Sequence, residues 1–514
     1  MKTSAPIPIV DLFAGPGGLG EGFSSLNSGN AFKILISAEM DPAAHATLML
    51  RAYYRILKKQ NLLKDYYNFC NGKAKLPYSK DTQKYWIEAS EEAQRLTLGE
   101  PEDNKKLESI INNAKLKSSK PWVLIGGPPC QAYSLVGRSR NIGKPNYRAE
   151  EDHRHYLYKE YLKVIQEFKP TVFVMENVKG ILSSKIQGGK IFHSILKDLS
   201  DPNKALENAS NVGYKIYSLA LPTCFDKSQN PEDLKLSDFI IKSEEYGIPQ
   251  ARHRVILLGV REDIKKKPCL INRENELGLN EVINDLPRIR SSLSKEIDSD
   301  ENWSMAIKNH LASLINESRN VERFEALSPT LEATLRKIDE KLDVGGLRVQ
   351  KESPHQPFEL EISKWYCDKK LNVWLNHEAR GHMRSDLKRY IFAACFANTF
   401  KRSPKGHEDF ILKGLSPEHK NWESGKFSDR FRVQTYNKPA TTITSHISKD
   451  GHYFIHPDPT QCRSLTVREA ARVQTFPDNY YFQGNRTQQY HQVGNAVPPL
   501  LAYKIAKIVF QLLS

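Results

Sequence analysis

Residues 11–23 read DLFAGPGGLGEGF, and IPIVDLF (7–13) runs into them as a short apolar stretch of the kind that forms a buried strand. The glycines therefore begin where a strand ends. Glycine lets the chain turn tightly and lets a ligand approach the backbone. Gly15, Gly17 and Gly20 fit G-x-G-x-x-G, a pattern shared by several nucleotide sites. A second apolar run, FKILISAEM (32–40), closes on Glu39 and Met40, with Asp41 next. An acidic residue at that place can hold the two hydroxyls of a ribose. These two segments alone leave NAD, FAD and S-adenosylmethionine open.

Three further runs read as strands: WVLIGG (122–127), TVFVMEN (171–177) and RVILLGV (254–260), with a helical stretch at Tyr156–Phe168. Strands alternating with helices predict an α/β fold, a doubly wound parallel sheet covered on both faces. Ligands in such sheets sit beyond the carboxyl ends of the strands. Residues 42–120 exceed what one strand–helix unit needs and read as a helical insertion, with RAYYRILKKQNLLKDYY at its start. From about 264 to 430 the alternation fades into a polar stretch rich in Lys, Arg, Glu and Asn. The expected organisation is a first catalytic part over 1–263, an inserted domain over 264–435, and the rest of the catalytic domain over 436–514. AYKIAKIVFQLL (502–513) has the apolar spacing of a closing amphipathic helix.

A chain of 514 residues is too long for one ordinary core. Lys and Arg number 75 against 60 Asp and Glu, a formal charge of +15. That surplus favours a polyanionic partner, nucleic acid first. The seven cysteines are dispersed, odd in number and without a C-x-x-C pair. This argues against a disulfide framework or a cysteine zinc site and fits a reducing cytoplasm. The start, MKTSAPIPIV, does not read as a signal peptide, and no apolar run suggests a membrane span. His377 and His382 lack a third ligand at a recognisable spacing, so no metal is expected.

GGPPCQAYS (126–134) follows the run WVLIGG. Two prolines fix the chain just before Cys130. A cysteine in a rigid turn at a strand's carboxyl end can serve as a nucleophile if its thiolate is stabilised. MENVKG (175–180) puts Glu176 at the end of an apolar strand, where a carboxyl needs partners or a proton. YGIPQARHRVILLG (246–259) sets Arg252 and Arg254 two apart, on one face of a strand. Two guanidiniums so placed suit an anion or a base carbonyl. RSLTVREAARVQTFPD (463–478) reads as a helix opening at Thr466, and QVGNAVPPLLA (492–502) as a turn leading into a helix.

In order, DLFAGPGG, GGPPCQ, ENV, QARHR, RSLTVREAARVQTFP and QVGNAVPP resemble the motifs of the DNA cytosine-5 methyltransferase family of the bacterial restriction-modification type. The resemblance covers residues 9–262 and 436–510. It implies a Rossmann-like S-adenosylmethionine-dependent methyltransferase domain with a smaller target-recognition domain at 264–435, and double-stranded DNA between them. It makes Cys130 the nucleophile at C6 of a flipped cytosine and Glu176 the contact to N3 and the 4-amino group. Arg254 would meet O2, and Arg252 would order the site and a neighbouring phosphate. For the cofactor it implies Phe13, Gly15 and Gly17 in the first loop, Glu39 at the ribose and Met40 on the adenine. Pro129, Leu157, Asn495 and Val497 match further contacts. A monomer is expected, with a cognate restriction endonuclease acting in the same system without stable contact.

The chain departs from the family where an Asp-Ile pair should follow the third strand. Nothing in 42–120 matches clearly, and Glu100, after the run LTLG, stands in as the candidate contact to the adenine amino group. Three rivals are weaker. A tRNA cytosine-5 enzyme shares the catalytic motifs, but its recognition segment is usually short. A nicotinamide oxidoreductase would explain Gly15 to Gly20 but not Pro-Pro-Cys-Gln or Glu176. Exocyclic-amine methyltransferases place an aromatic residue where Cys130 stands.

Overall fold

The protein is described here by a computed structural model covering residues 5–116, 120–129, 157–186, 189–206, 212–352, 361–417, 422 and 430–514. The first half builds one sheet from β1 (Ile7–Leu12), β2 (Phe32–Glu39), β3 (Ala93–Arg95), β4 (Val123–Gly126), β5 (Val172–Val178), β6 (Tyr214–Tyr217), β7 (Cys224–Phe225), β8 (Ile240–Lys242) and β9 (His253–Arg261). The order across it is β3-β2-β1-β4-β5-β9-β6-β7, with β8 also on β9. β3, β2, β1, β4 and β5 run parallel. The order reverses between β1 and β4, where such sheets leave a crevice for a ligand.

The run at 254–260 was expected to be another parallel strand. It is antiparallel to β5, β6 and β8 instead. Apolar patterning reports burial, not direction, so a strand covered on both faces reads the same either way. The expected insertion at 42–120 is helical, as α2 (Pro42–Gln60), α3 (Lys64–Cys70), α4 (Gln83–Glu92) and α5 (Pro101–Asn113) follow α1 (Gly18–Ser25). It also holds β3, which sequence reasoning missed. Three residues, Ala-Gln-Arg, are too few and too polar to signal a strand.

Helices cover both faces. Tyr161, Leu162 and Ile165 of α6 (Leu157–Phe168), with Phe192, Ile195 and Leu199 of α7 (Ile191–Ser200), pack on one side against Val10, Leu124 and Phe173. The other side packs Phe23 and Ile34 against the chain's final helix (Pro499–Leu513) through Leu501, Ile505 and Val509.

The segment beyond β9 has two parts. α8 (Asp300–Ser318), α9 (Ser328–Arg336) and α10 (Arg384–Phe400) enclose a core of their own around Trp303, Leu311, Leu331 and Phe392. Phe431, Val433, Ile455 and Cys462 complete that core. A hairpin of β10 (Gly345–Gln350) and β11 (Val373–Glu378) packs elsewhere: Val373 and Leu375 lie against Tyr53, Tyr66 and Cys70 of α2 and α3.

The predicted helix at 466 is α11 (Val467–Val473), closed by a capping box between Thr466 and Glu469. Its charged residues are buried. Arg468 donates to the carbonyls of Leu375 (2.8 Å) and Tyr480 (2.6 Å), and Arg472 pairs with Asp478 and Asp285. They fasten the hairpin side to the catalytic side. α12 (Arg486–Asn495) and α13 (Pro499–Leu513) follow. Arg486–Leu513 is apolar and long enough to cross a membrane by composition, but 61% of its critical stretch is buried in the protein. His377 bridges Thr466 (3.0 Å) and the Pro287 carbonyl (2.9 Å), and His382 packs on Tyr390. Among the described residues no three His, Cys, Asp or Glu side chains gather as metal ligands.

Candidate active site

At the switch point the ends of β1 to β5 open onto a cavity of about 310 Å³. Its floor is the glycine turn. Phe13 (φ 56°), Gly15 (φ 57°) and Gly17 (φ 94°) all take left-handed backbone, which for Phe13 is a strained conformation. A Cβ at Gly15 would meet nothing within 4 Å, because the cavity lies there. Gly17 stands behind the wall, with Leu48 and Tyr480 filling the space at its Cα. Of the nine cofactor residues expected, only Gly17 does not line the cavity; it shapes the turn, its N–H donating to the Ala14 carbonyl at 2.9 Å.

Glu39 stands at the centre. Its two oxygens accept the backbone N–H groups of Gly15 and Asp41, both at 2.8 Å. Burial pushes its pKa up, and those N–H groups oppose the rise. Each oxygen keeps a lone pair for a ribose hydroxyl. Met40 sits on the rim with 57% of its surface exposed, an apolar face free to cover a heterocycle. Leu157 adds apolar wall. Asn495 and Val497 arrive from the far end of the chain, and the bare Cα of Gly18 in α1 lets that segment approach: a Cβ there would lie 2.2 Å from the Val497 carbonyl oxygen.

The adenine candidate Glu100 is exposed at the N-cap position of α5 and does not line the cavity. The residues that face the cavity after β3 are Leu96 and Leu98. Sequence reasoning missed them because it had no third strand from which to count.

The other end of the cavity is where the residues expected to act on the base lie. Pro128 and Pro129 line it beside Glu176 and Asn177. Asn177 Nδ2 donates to the Pro128 carbonyl at 3.3 Å and so ties the proline turn to β5. Cys130 itself lies outside the described residues. Glu176 pairs with Arg254 at 3.0 Å. Burial pushes the Arg254 pKa down, and Glu176 partly offsets this.

Arg252 faces inward. It is 1% exposed, and its Nη1 donates to the carbonyl of Ile443 at 2.8 Å. Burial, with Arg254 nearby, pushes its pKa well down. Its hydrogen bond joins the entry to β9 to the segment around Ile443. Gln250 completes the clasp, accepting the Ile443 N–H (2.7 Å) and donating to Gln474 (2.9 Å).

A glycine turn, a carboxylate with lone pairs to spare, apolar walls and a polar end at Glu176, backed by Arg254, have the form of a nucleoside-binding site. The chain belongs to the C-5 cytosine-specific DNA methylases, whose family model matches residues 92–511. It is 33% identical to the Type II methyltransferase M.Bpa9945I of Bacillus paralicheniformis, across 98% of each chain. It is 28% identical to M.DdeI of Desulfomicrobium norvegicum, across 75% of this chain and 71% of that one. In fold it is similar to a crystal structure described as a DNA modification methyltransferase encoded within an E. coli prophage, with a TM-score of 0.53, 18% identity and 99% of both chains covered. The protein is thus a DNA cytosine-5 methyltransferase that uses S-adenosylmethionine and acts on double-stranded DNA. The cavity fits that cofactor: Glu39 suits a ribose, Met40, Leu96 and Leu98 an adenine, and the open space at Gly15 the chain between ribose and methyl group.

Proposed function

We propose that Cys130 is the nucleophile and that Glu176 and Arg254 hold the target cytosine. The Cys130 thiolate adds to C6, which makes C5 electron-rich. The cofactor supplies the methyl group that C5 takes. Loss of the C5 proton then expels the thiolate and restores the double bond. Glu176 hydrogen-bonds N3 and the 4-amino group, so that a proton lies where negative charge develops. Arg254 contacts O2. The observation that carries this reading is Glu176, which pairs with Arg254 at 3.0 Å and lines the same cavity as Pro129, one residue before Cys130. The target base leaves the duplex to reach these groups. Residues 264–435 read the DNA sequence, and the protein works as a monomer. Relatives named as Type II methyltransferases support a role as the modification arm of a restriction-modification system.

The test is transfer of labelled methyl from S-adenosylmethionine to duplex DNA, with base analysis and bisulfite sequencing of the product. Cys130→Ala should abolish 5-methylcytosine formation and leave DNA binding in place. Glu176→Gln should slow single-turnover transfer by about 10²–10⁴-fold. Appreciable turnover by Cys130→Ala would remove the nucleophile from the scheme.

A further inference from the structure

A polar chain runs from the wall of the cofactor cavity to the hairpin of β10 and β11. It starts at Pro16, which lines the cavity and whose carbonyl accepts the Tyr480 hydroxyl. The Tyr480 ring lies against the guanidinium of Arg51, 4.8 Å from its centroid. Arg51 donates through Nε and Nη2 to Glu21 in the first turn of α1, at 2.8 and 2.6 Å. Its remaining nitrogen, Nη1, donates to Asn479 Oδ1 at 2.9 Å. Asn479 Nδ2 then donates to Asp368 at 2.6 Å, and Tyr67 of α3 donates to the same carboxylate oxygen. Asp368 precedes β11. The other strand of the hairpin is held in parallel fashion: Arg348 donates to the carbonyls of Cys70 (2.9 Å) and Phe69 (3.0 Å) at the end of α3.

We propose that Arg51 is a positioning residue that links cofactor binding to the placement of the target-recognition segment. It is only 4% exposed and does not line the cofactor cavity. Its three donor nitrogens are committed to two places: α1, which follows the glycine turn, and Asn479, which leads to the hairpin. A guanidinium fixes such a fork in a plane, whereas an ammonium cannot. Cofactor seated on the Phe13–Gly15 turn holds the Pro16 carbonyl and α1 in one place. Through Arg51 that placement favours one seat of the hairpin on α2 and α3. Linkage is reciprocal, so DNA held by the recognition segment tightens cofactor by the same factor. The argument rests on reading 264–435 as the DNA-recognising segment.

The test uses the whole protein, S-adenosylhomocysteine, and a short duplex carrying the site found by bisulfite sequencing, with a scrambled duplex beside it. The dissociation constant for each duplex is measured with and without S-adenosylhomocysteine, in the wild type, Arg51→Lys and Asn479→Ala. Asn479→Ala keeps the Glu21–Arg51 pair, so it opens the chain without leaving Glu21 unpaired in the interior. Thermal melts confirm that the variants are folded. In the wild type the cofactor product should tighten cognate DNA by about fivefold or more. In both variants the factor should fall below about twofold, a change that general loosening, which weakens both affinities alike, would not produce. A wild type without such a factor, or variants that keep it, overturns the inference. Equal affinity for cognate and scrambled duplex would instead overturn the reading of 264–435.

Discussion

At the scale of single residues, Glu39 shows how a site is set before any ligand arrives. A carboxylate in this cavity would be costly without partners. The N–H groups of Gly15 and Asp41 supply them and also fix the direction of both oxygens. A ribose bound there would meet an acceptor that has no rearranging to do. Charge-assisted hydrogen bonds contribute about 1.5–3 kcal/mol each. Glu39→Ala should therefore weaken S-adenosylhomocysteine binding by about 10–100-fold, read by titration calorimetry. A loss of under twofold would show that the ribose sits elsewhere. Arg252 carries the opposite lesson. Its alternation with Arg254 in QARHR was legible, but which partner each would find was not. Arg254 meets Glu176, while Arg252 turns inward to the Ile443 carbonyl, which lies nearly 200 residues later in sequence.

At the scale of elements, the tight joint is between α1 and the turn that leads into α13. Gly18 and Gly22 let the two approach: a Cβ at Gly18 would stand 2.2 Å from the Val497 oxygen, and one at Gly22 would stand 2.4 Å from the Ala502 Cβ. Gly18 lies in a helix, so Ala there would carry no backbone strain and the effect is purely one of space. Overpacking of this kind costs about 1–3 kcal/mol. Gly18→Ala should lower the melting temperature and weaken S-adenosylhomocysteine binding together, because Asn495 and Val497 form part of the cavity wall. An unchanged affinity in a destabilised variant would detach this wall from cofactor binding. The glycines and the QVGNAVPP motif were readable because each demands a special backbone. β3 was not readable, since Ala-Gln-Arg becomes a strand only by pairing with Ser37–Glu39 of β2. Without a third strand to count from, the run LTLG points to Glu100, whereas Leu96 and Leu98 face the cavity.

At the scale of the whole molecule, the inserted segment was visible as a loss of alternation, but its division was not. Long-range packing decides that division, and no local pattern announces it. The helical part has its own core, yet that core is finished by Ile455 and Cys462, beyond residue 435. The hairpin belongs instead to the surface made by α2, α3 and α11. A graft of 264–435 from a relative would therefore set a foreign α10 against the native Ile455 and Cys462. It would also ask the native Arg468 to cap a foreign β11 at Leu375. Mismatched volumes in a closed core cost about 1–3 kcal/mol at each site, enough over several contacts to consume the stability of a domain. A graft that ends after Cys462, and that keeps the native 345–378 hairpin, should fold and transfer the relative's methylation site. The graft ending at 435 should melt lower or aggregate. Melting curves of the two chimaeras, followed by bisulfite sequencing of DNA treated with the folded one, check both points. Equal stability of the two would place the boundary at 435, and an unchanged methylation site in the longer graft would place recognition on the hairpin it leaves behind.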